Sequence, residues 1–187
     1  QILAKKSPAI EIYSIDEAFL DFNGIKKPNQ FSVTLRKTVK NWTGIPVSIG
    51  VAPTKTLAKV ANHIAKKHKT SGVFVLRNKN TIEEVLKHLP VDEIWGIGRQ
   101  YAKFLSNRGF ETARDLVNAN ESWIRSNMNV NGLRMVKELK GIPCYELELI
   151  NARKKNICTS RSFSMDVKEL RDLKEAVANH ATNCAMK

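Results

Sequence analysis

The sequence predicts an α+β chain: a β-β-α-β-α-β layer, mostly antiparallel sheet with helices packed on it, then a small all-helical region, then a strand and a helix. Three observations carry this. Short β-branched and aromatic runs with period-two alternation occur before residue 80 and again near 156. Between those points apolar residues recur at helical spacing, with glycines separating the runs. Hydrophobic residues make up 42% and charged residues 26%, ordinary for a chain that buries a core.

Taken in order, residues 9–15 (AIEIYSI) alternate Ile10 and Ile12 with Glu11 and Tyr13, a strand. A second short strand, Ala18 to Phe22, follows at once, so Ser14 to Glu17 is the bend of a hairpin. Phe31, Leu35, Val39 and Trp42 space a helix that Gly44 and Pro46 stop. Val47, Ile49 and Val51 alternate in a third strand. Thr54 to Lys67 is the best helix in the chain, with Leu57, Val60, Ala61 and Ile64 on its buried face. Val73 to Leu76 is a fourth strand. Short helices then carry Ile82 to Leu89, Ala102 and Leu105, Ala113 to Val117, and Leu133 to Leu139. Residues 144–155 read as a linker ending in Arg153-Lys154-Lys155. A strand from Asn156 to Phe163 and a helix bearing Leu170, Leu173, Val177 and Ala181 complete the reading.

Charge narrows the function classes. Against 18 Asp+Glu stand 31 Lys+Arg, a net +13 with pI near 9.8. That excess favours a polyanionic partner, nucleic acid or an anionic surface. Cys144, Cys158 and Cys184 are odd in number and lack zinc-ligand spacing, which points to a reducing cytoplasm rather than a disulfide framework. No apolar run approaches the roughly 18 residues of a membrane span, so no membrane partner is expected. The chain opens Gln-Ile-Leu-Ala without an initiator Met, and reads as cut from a longer protein.

Three constellations carry chemistry. Asp16 and Glu17 are adjacent acids at a hairpin bend, where the backbone can turn both carboxylates toward one place. Such a pair is relieved by a shared proton or a divalent cation, and Mg²⁺ favours a few carboxylates with phosphates and water. An ordinary acidic turn is the plain alternative. On the helix 54–67, Lys55, Lys59 and Lys66 fall within roughly a 40° wedge opposite the apolar face, either a solvated stripe or a grip on phosphates. By the same geometry Lys67 points elsewhere. Gly96-Ile97-Gly98-Arg99 can bring backbone N–H groups close to a phosphate. With the apolar spacing of Ala102, Leu105, Gly109, Phe110 and Leu116, it resembles a helix-hairpin-helix DNA-binding element. Trp95 reads as core. His63, His68, His88 and His180 form no constellation.

The run Glu11 to Asp21, with its Tyr-Ser-Ile-Asp-Glu-Ala-Phe core, resembles the second acidic motif of the UmuC-like branch of Y-family translesion DNA polymerases. Ser48 to Ala61 is similar to the same family's palm, and Ile157 to Phe163 to the first strand of its little finger. The resemblance implies a partial palm (residues 1–77), a helix-hairpin-helix thumb (78–152) and a truncated α/β little finger (153–187). It implies template-directed two-metal nucleotidyl transfer in damage tolerance and the SOS response. Asp16 would bridge two Mg²⁺ ions and Glu17 would hold the ion beside the primer hydroxyl, with no metal role for Asp21. Lys66 would contact the nucleotide phosphates, with Lys59 beside it. Gly96, Ile97, Gly98, Arg99 and Arg161 would contact DNA backbone, though solvated linker charge explains Arg161 and residues 153–155 equally well. Primer-template DNA and dNTP, processed UmuD and a sliding clamp are the implied partners. The family's third metal-binding Asp has no counterpart here, so the fragment itself is expected to be inactive. A non-catalytic helix-hairpin-helix DNA-binding module is the alternative function.

Overall fold

A computed structural model describes residues 2–67, 72–149 and 156–186, in two compact units spanning residues 1–149 and 150–187. His68 and Arg153-Lys154-Lys155 lie outside the described residues. In the first unit, β1 (Ile10–Ile12) and β2 (Ala18–Leu20) pair antiparallel with Glu11 opposite Phe19. The bend between them is closed by the Tyr13 and Ser14 amides, which donate to the Glu17 carbonyl at 3.0 and 3.1 Å. Helix α1 (Pro28–Thr43) takes Pro28 at its first turn, where the missing N–H costs nothing, and Gly44 ends it in the left-handed region.

β3 (Ile49–Val51) and β4 (Val73–Val75) form a second sheet, joined through α2 (Lys55–Lys67). They run parallel, with Gly50 opposite Phe74. The expected mostly antiparallel sheet is therefore corrected to two separate two-stranded sheets, one of each kind, among the described residues. The reason is connectivity: two neighbouring strands joined by a packed helix must cross over, and the crossover makes them parallel. α2 lies so close on β3 that a Cβ on Gly50 would come within 2.1 Å of the Asn62 nitrogen and 2.3 Å of the Ala58 oxygen.

The helical part holds α3 (Lys79–His88), α4 (Arg99–Ser106), α5 (Ala113–Val117) and α6 (Glu121–Leu139). The sequence reading placed only the second half of α6. Its first half starts at Asn120, whose side chain caps Ser122 and Trp123. The helix breaks at Asn129, at φ 58°, ψ −168°, and the Asn129 side chain accepts from the Asn131 amide at 2.8 Å to restart it. The buried face of α2 shares one core with these helices: Leu57, Val60 and Ala61 pack in a cluster with Leu105, Leu116, Ile124, Val136 and Leu139.

In the second unit α7 (Leu170–Ala185) is present, but the strand expected over Asn156–Phe163 is irregular chain. A strand needs a ladder partner, and no described residue pairs with this segment. Thr159 instead meets His180 Nδ1 at 3.2 Å and Cys184 Sγ at 3.1 Å on α7.

Candidate active site and nucleic-acid interface

The site begins at the β1–β2 bend. Asp16 is exposed, and its Oδ1 accepts from the Ser14 hydroxyl at 2.7 Å, which fixes the carboxylate over the turn. Glu17 points to α2, where Lys59 Nζ lies 2.6 Å from its Oε1. One turn earlier, Lys55 is ion-paired with Glu11 of β1. Lys66 is exposed and forms no ion pair among the described residues. The lysine stripe therefore splits into one structural pair, one contact with the acidic bend and, among the described residues, one unengaged cation. Lys67 lies off the stripe, ion-paired to Glu93, and His63 Nε2 is 2.8 Å from the same carboxylate. The hydrogen bond from Lys67 holds Glu93 below the usual carboxylate range, with the nearby His63 adding to it.

An aromatic cluster ties this bend to the glycine hairpin. Tyr13 meets Trp95 edge-on with ring centroids 5.5 Å apart, and Phe19 and Tyr145 lie 5.9 and 6.2 Å from the same indole. Trp95, read as core, is half-buried at the hub of this cluster rather than part of the main core. It directly precedes Gly96, whose φ of 96° only glycine adopts without strain. Gly98 is different: its φ of −84° suits any residue, and a Cβ there would meet nothing within 4 Å. Neither conformation nor packing against the described residues requires glycine at 98. Gly98 is the N-cap of α4 and Arg99 its first residue, both exposed, so the unpaired amides of the first turn face outward beside a cation. Ile97 is buried and anchors the loop. Arg161 lies exposed in the irregular segment before α7, outside any strand.

Two buried acids escaped the sequence reading as anchors. Glu138, fully buried on α6, accepts from the amides of Thr56 at 2.8 Å, Cys144 at 2.9 Å and Tyr145 at 3.1 Å. Glu11 accepts from the Glu148 amide at 2.8 Å in addition to its bond from Lys55. Both acids thus fasten the segment 144–148 and the first turn of α2 together. The available signal was Glu138 standing one turn after Met135 on an otherwise apolar helix face.

The donor chemistry of Asp16 and Glu17, hard carboxylate oxygens at an accessible bend, suits Mg²⁺. Among the described residues no cluster of three or more His, Cys, Asp or Glu side chains stands together. No helix among the described residues is long and apolar enough to cross a membrane.

Residues 1–63 match the model of the impB/mucB/samB family. The chain is similar to Protein UmuC of Salmonella typhimurium, 41% identical over 190 residues, covering 99% of this chain and 45% of that protein. It is similar also to DNA polymerase IV of Treponema denticola, 30% identical over 166 residues, 86% of this chain and 41% of that one. In structure it resembles a DinB family error-prone DNA polymerase from Sulfolobus solfataricus, with TM-score 0.64 and 29% identity over 79% of this chain and 45% of that one. The chain thus spans less than half the length of the relatives it matches. These matches show that the chain belongs to the UmuC-like impB/mucB/samB family, within the Y family of DNA polymerases.

Proposed function

We propose that this chain contributes the acidic and DNA-holding surfaces of an error-tolerant, template-directed DNA polymerase acting by two-metal nucleotidyl transfer. One observation carries the reading: the Tyr13–Trp95 contact at 5.5 Å sets the acidic bend beside the glycine hairpin. Reacting groups and a sequence-independent phosphate grip thereby occupy neighbouring positions, as a polymerase needs at a primer end. Asp16 and Glu17 would hold Mg²⁺, which when bound supplies charge neutralisation for the phosphates and acidifies a primer hydroxyl. Ser14 orients Asp16 through its 2.7 Å hydrogen bond, and Lys66, unengaged among the described residues, is the phosphate-facing lysine. Gly96 to Arg99 would seat a DNA phosphate, with Gly98 small enough for close approach. In this reading residues 1–77, 78–152 and 153–187 correspond to palm, thumb and little finger.

Two of three carboxylates bind divalent ions weakly, so the 187-residue chain by itself is proposed to have little or no incorporation activity. The resemblance also suggests a cytoplasmic setting and processed UmuD and a sliding clamp as partners, which co-purification of the full-length polymerase would test. The deciding experiment is Asp16→Ala in that full-length polymerase. Primer extension should fall by about two orders of magnitude or more while duplex binding stays within about twofold. Retained extension refutes the catalytic role of Asp16. A non-catalytic DNA-binding module, favoured by the open Gly98 site, predicts binding that depends on Arg99 and the glycines and no extension in the unsubstituted protein.

A further inference from the structure

The three stripe lysines of α2 sit in three different environments. Lys55 is committed to Glu11, a buried acid that also holds the Glu148 amide. Lys66 is open to solvent. Lys59 occupies a cradle: Glu17 Oε1 at 2.6 Å, the Tyr13 ring centroid at 5.5 Å and the Trp95 ring centroid at 5.8 Å. Its side chain is only 20% exposed and that of Glu17 30%, so both partners are drawn substantially out of water. Two aromatic faces within about 6 Å attract an ammonium whether or not a carboxylate is present. The cradle therefore has two separable parts, one anionic and one aromatic.

We propose that Lys59 is a placeholder cation: it neutralises Glu17 in the metal-free protein, yields the carboxylate when a divalent ion binds, and stays held by Tyr13 and Trp95. The inference rests on the reading of Asp16 and Glu17 as metal ligands. A divalent ion and an ammonium on one carboxylate, in a partly desolvated site, repel strongly. Release of Lys59 from Glu17 therefore accompanies binding. The aromatic faces limit the cost of release, since the freed ammonium keeps two of its three contacts. The same arrangement makes Trp95 report on the metal state, because the cation over its ring moves. Trp95 adjoins Gly96, so metal arrival at the bend and the first residue of the hairpin share one side-chain contact.

The test is Mn²⁺ binding to the 187-residue chain, read as free Mn²⁺ by electron paramagnetic resonance, in wild type, Lys59→Met, Lys66→Met, Asp16→Asn and Glu17→Gln. Lys59→Met should tighten binding at least about fivefold, because it removes a partly buried competitor. Lys66→Met, which removes an exposed and screened charge, should change it less than about twofold. In a Glu17→Gln background the Lys59→Met effect should vanish. A second measurement needs no variant of Lys59: the ε-methylene resonance of Lys59 in the wild type should shift saturably with Mg²⁺, while that of Lys55 stays put. Equal effects at Lys59 and Lys66, or an unmoved Lys59 resonance at saturating Mg²⁺, overturn the placeholder role. Mn²⁺ binding that survives both Asp16→Asn and Glu17→Gln instead overturns the metal-site reading itself.

Discussion

Helices α2 and α7 carry the same kind of apolar stripe and meet different fates. α2 buries Thr56, Leu57, Val60, Ala61 and Ala65. α7 buries nothing, and Leu170, Leu173 and Val177 stand 64, 45 and 60% exposed. Periodicity thus announces a stripe but not a partner. What α2 has in addition is a sheet on one flank, helix α6 on another, and a polar clamp on its first turn. Thr54 Oγ1 donates to the Glu138 carbonyl at 2.8 Å while the Glu138 carboxylate takes the Thr56 amide. The comparison predicts that the stability of the first unit rests on α2 and its contacts, and that α7 contributes little.

The severest way to break it is at Glu138. Glu138→Ala strips the partner from three amides and leaves a hole at a fully buried position, so a loss of about 4 kcal/mol is expected, read in chemical denaturation of the chain. Loss under about 1 kcal/mol would mean the clamp is incidental. Gly50→Ala attacks the other flank. The new methyl meets backbone of α2 rather than a side-chain tip that could swing away, so β3 must lift off α2 at about 3 kcal/mol. A tolerated Gly50→Ala would show that β3 and α2 slide freely.

Legibility in the sequence follows the range of the interaction. The β1–β2 hairpin, α1 with its Gly44 stop, α2 and α7 were all readable because each depends on residues a few positions apart. The parallel β3–β4 pair was misread because strand direction is decided by the crossover, not by either strand's own pattern. The run at Asn156 has strand-like alternation, but alternation cannot supply a ladder partner. In α6 the asparagines at 127, 129 and 131 hid the first half, since residues that favour caps and turns blur helical spacing even when one serves as an internal cap. The candidate site divides the same way. The acidic bend and the lysine stripe were local. That Lys59 meets Glu17 across 42 residues, and Thr56 meets Glu138 across 82, was not. Trp95 looked like core because nothing in its neighbourhood names Tyr13 as a partner.

A smaller effect sharpens the helical side of the comparison. At the start of α5, Thr112 and Asp115 form a reciprocal capping box, and the Asp115 carboxylate also accepts from the Glu111 amide at 3.1 Å. The Thr112 amide and hydroxyl are the main reason its carboxyl is held below the usual range. A lowered folded value means the group stabilises above the ordinary aspartate pKa, about 4, and that this contribution is lost as pH falls through the folded value. Asp115→Asn should cost about 1 kcal/mol at neutral pH. The difference from wild type should close progressively in acid, below about pH 4. A difference that stays constant down to pH 2 would show that charge has no part in the cap.

The least effect is expected at α7, and it bears most directly on what the two helices teach. Leu173→Ala removes an apolar group that is already 45% exposed and belongs to a helix with no buried residue, so stability should change by less than about 0.5 kcal/mol. Amides of α7 should also exchange with solvent far faster than those of α2, since opening a helix with no buried side chain sacrifices only its own hydrogen bonds. If Leu173→Ala instead costs as much as truncating a buried leucine, the stripe is covered in solution. Dilution then separates the sources. A cost that fades at low protein concentration comes from a second copy of the chain, and one that persists comes from packing within it. Either outcome would give α7 the partner that α2 has, and would return the difference between the two helices to their surroundings rather than to their sequences.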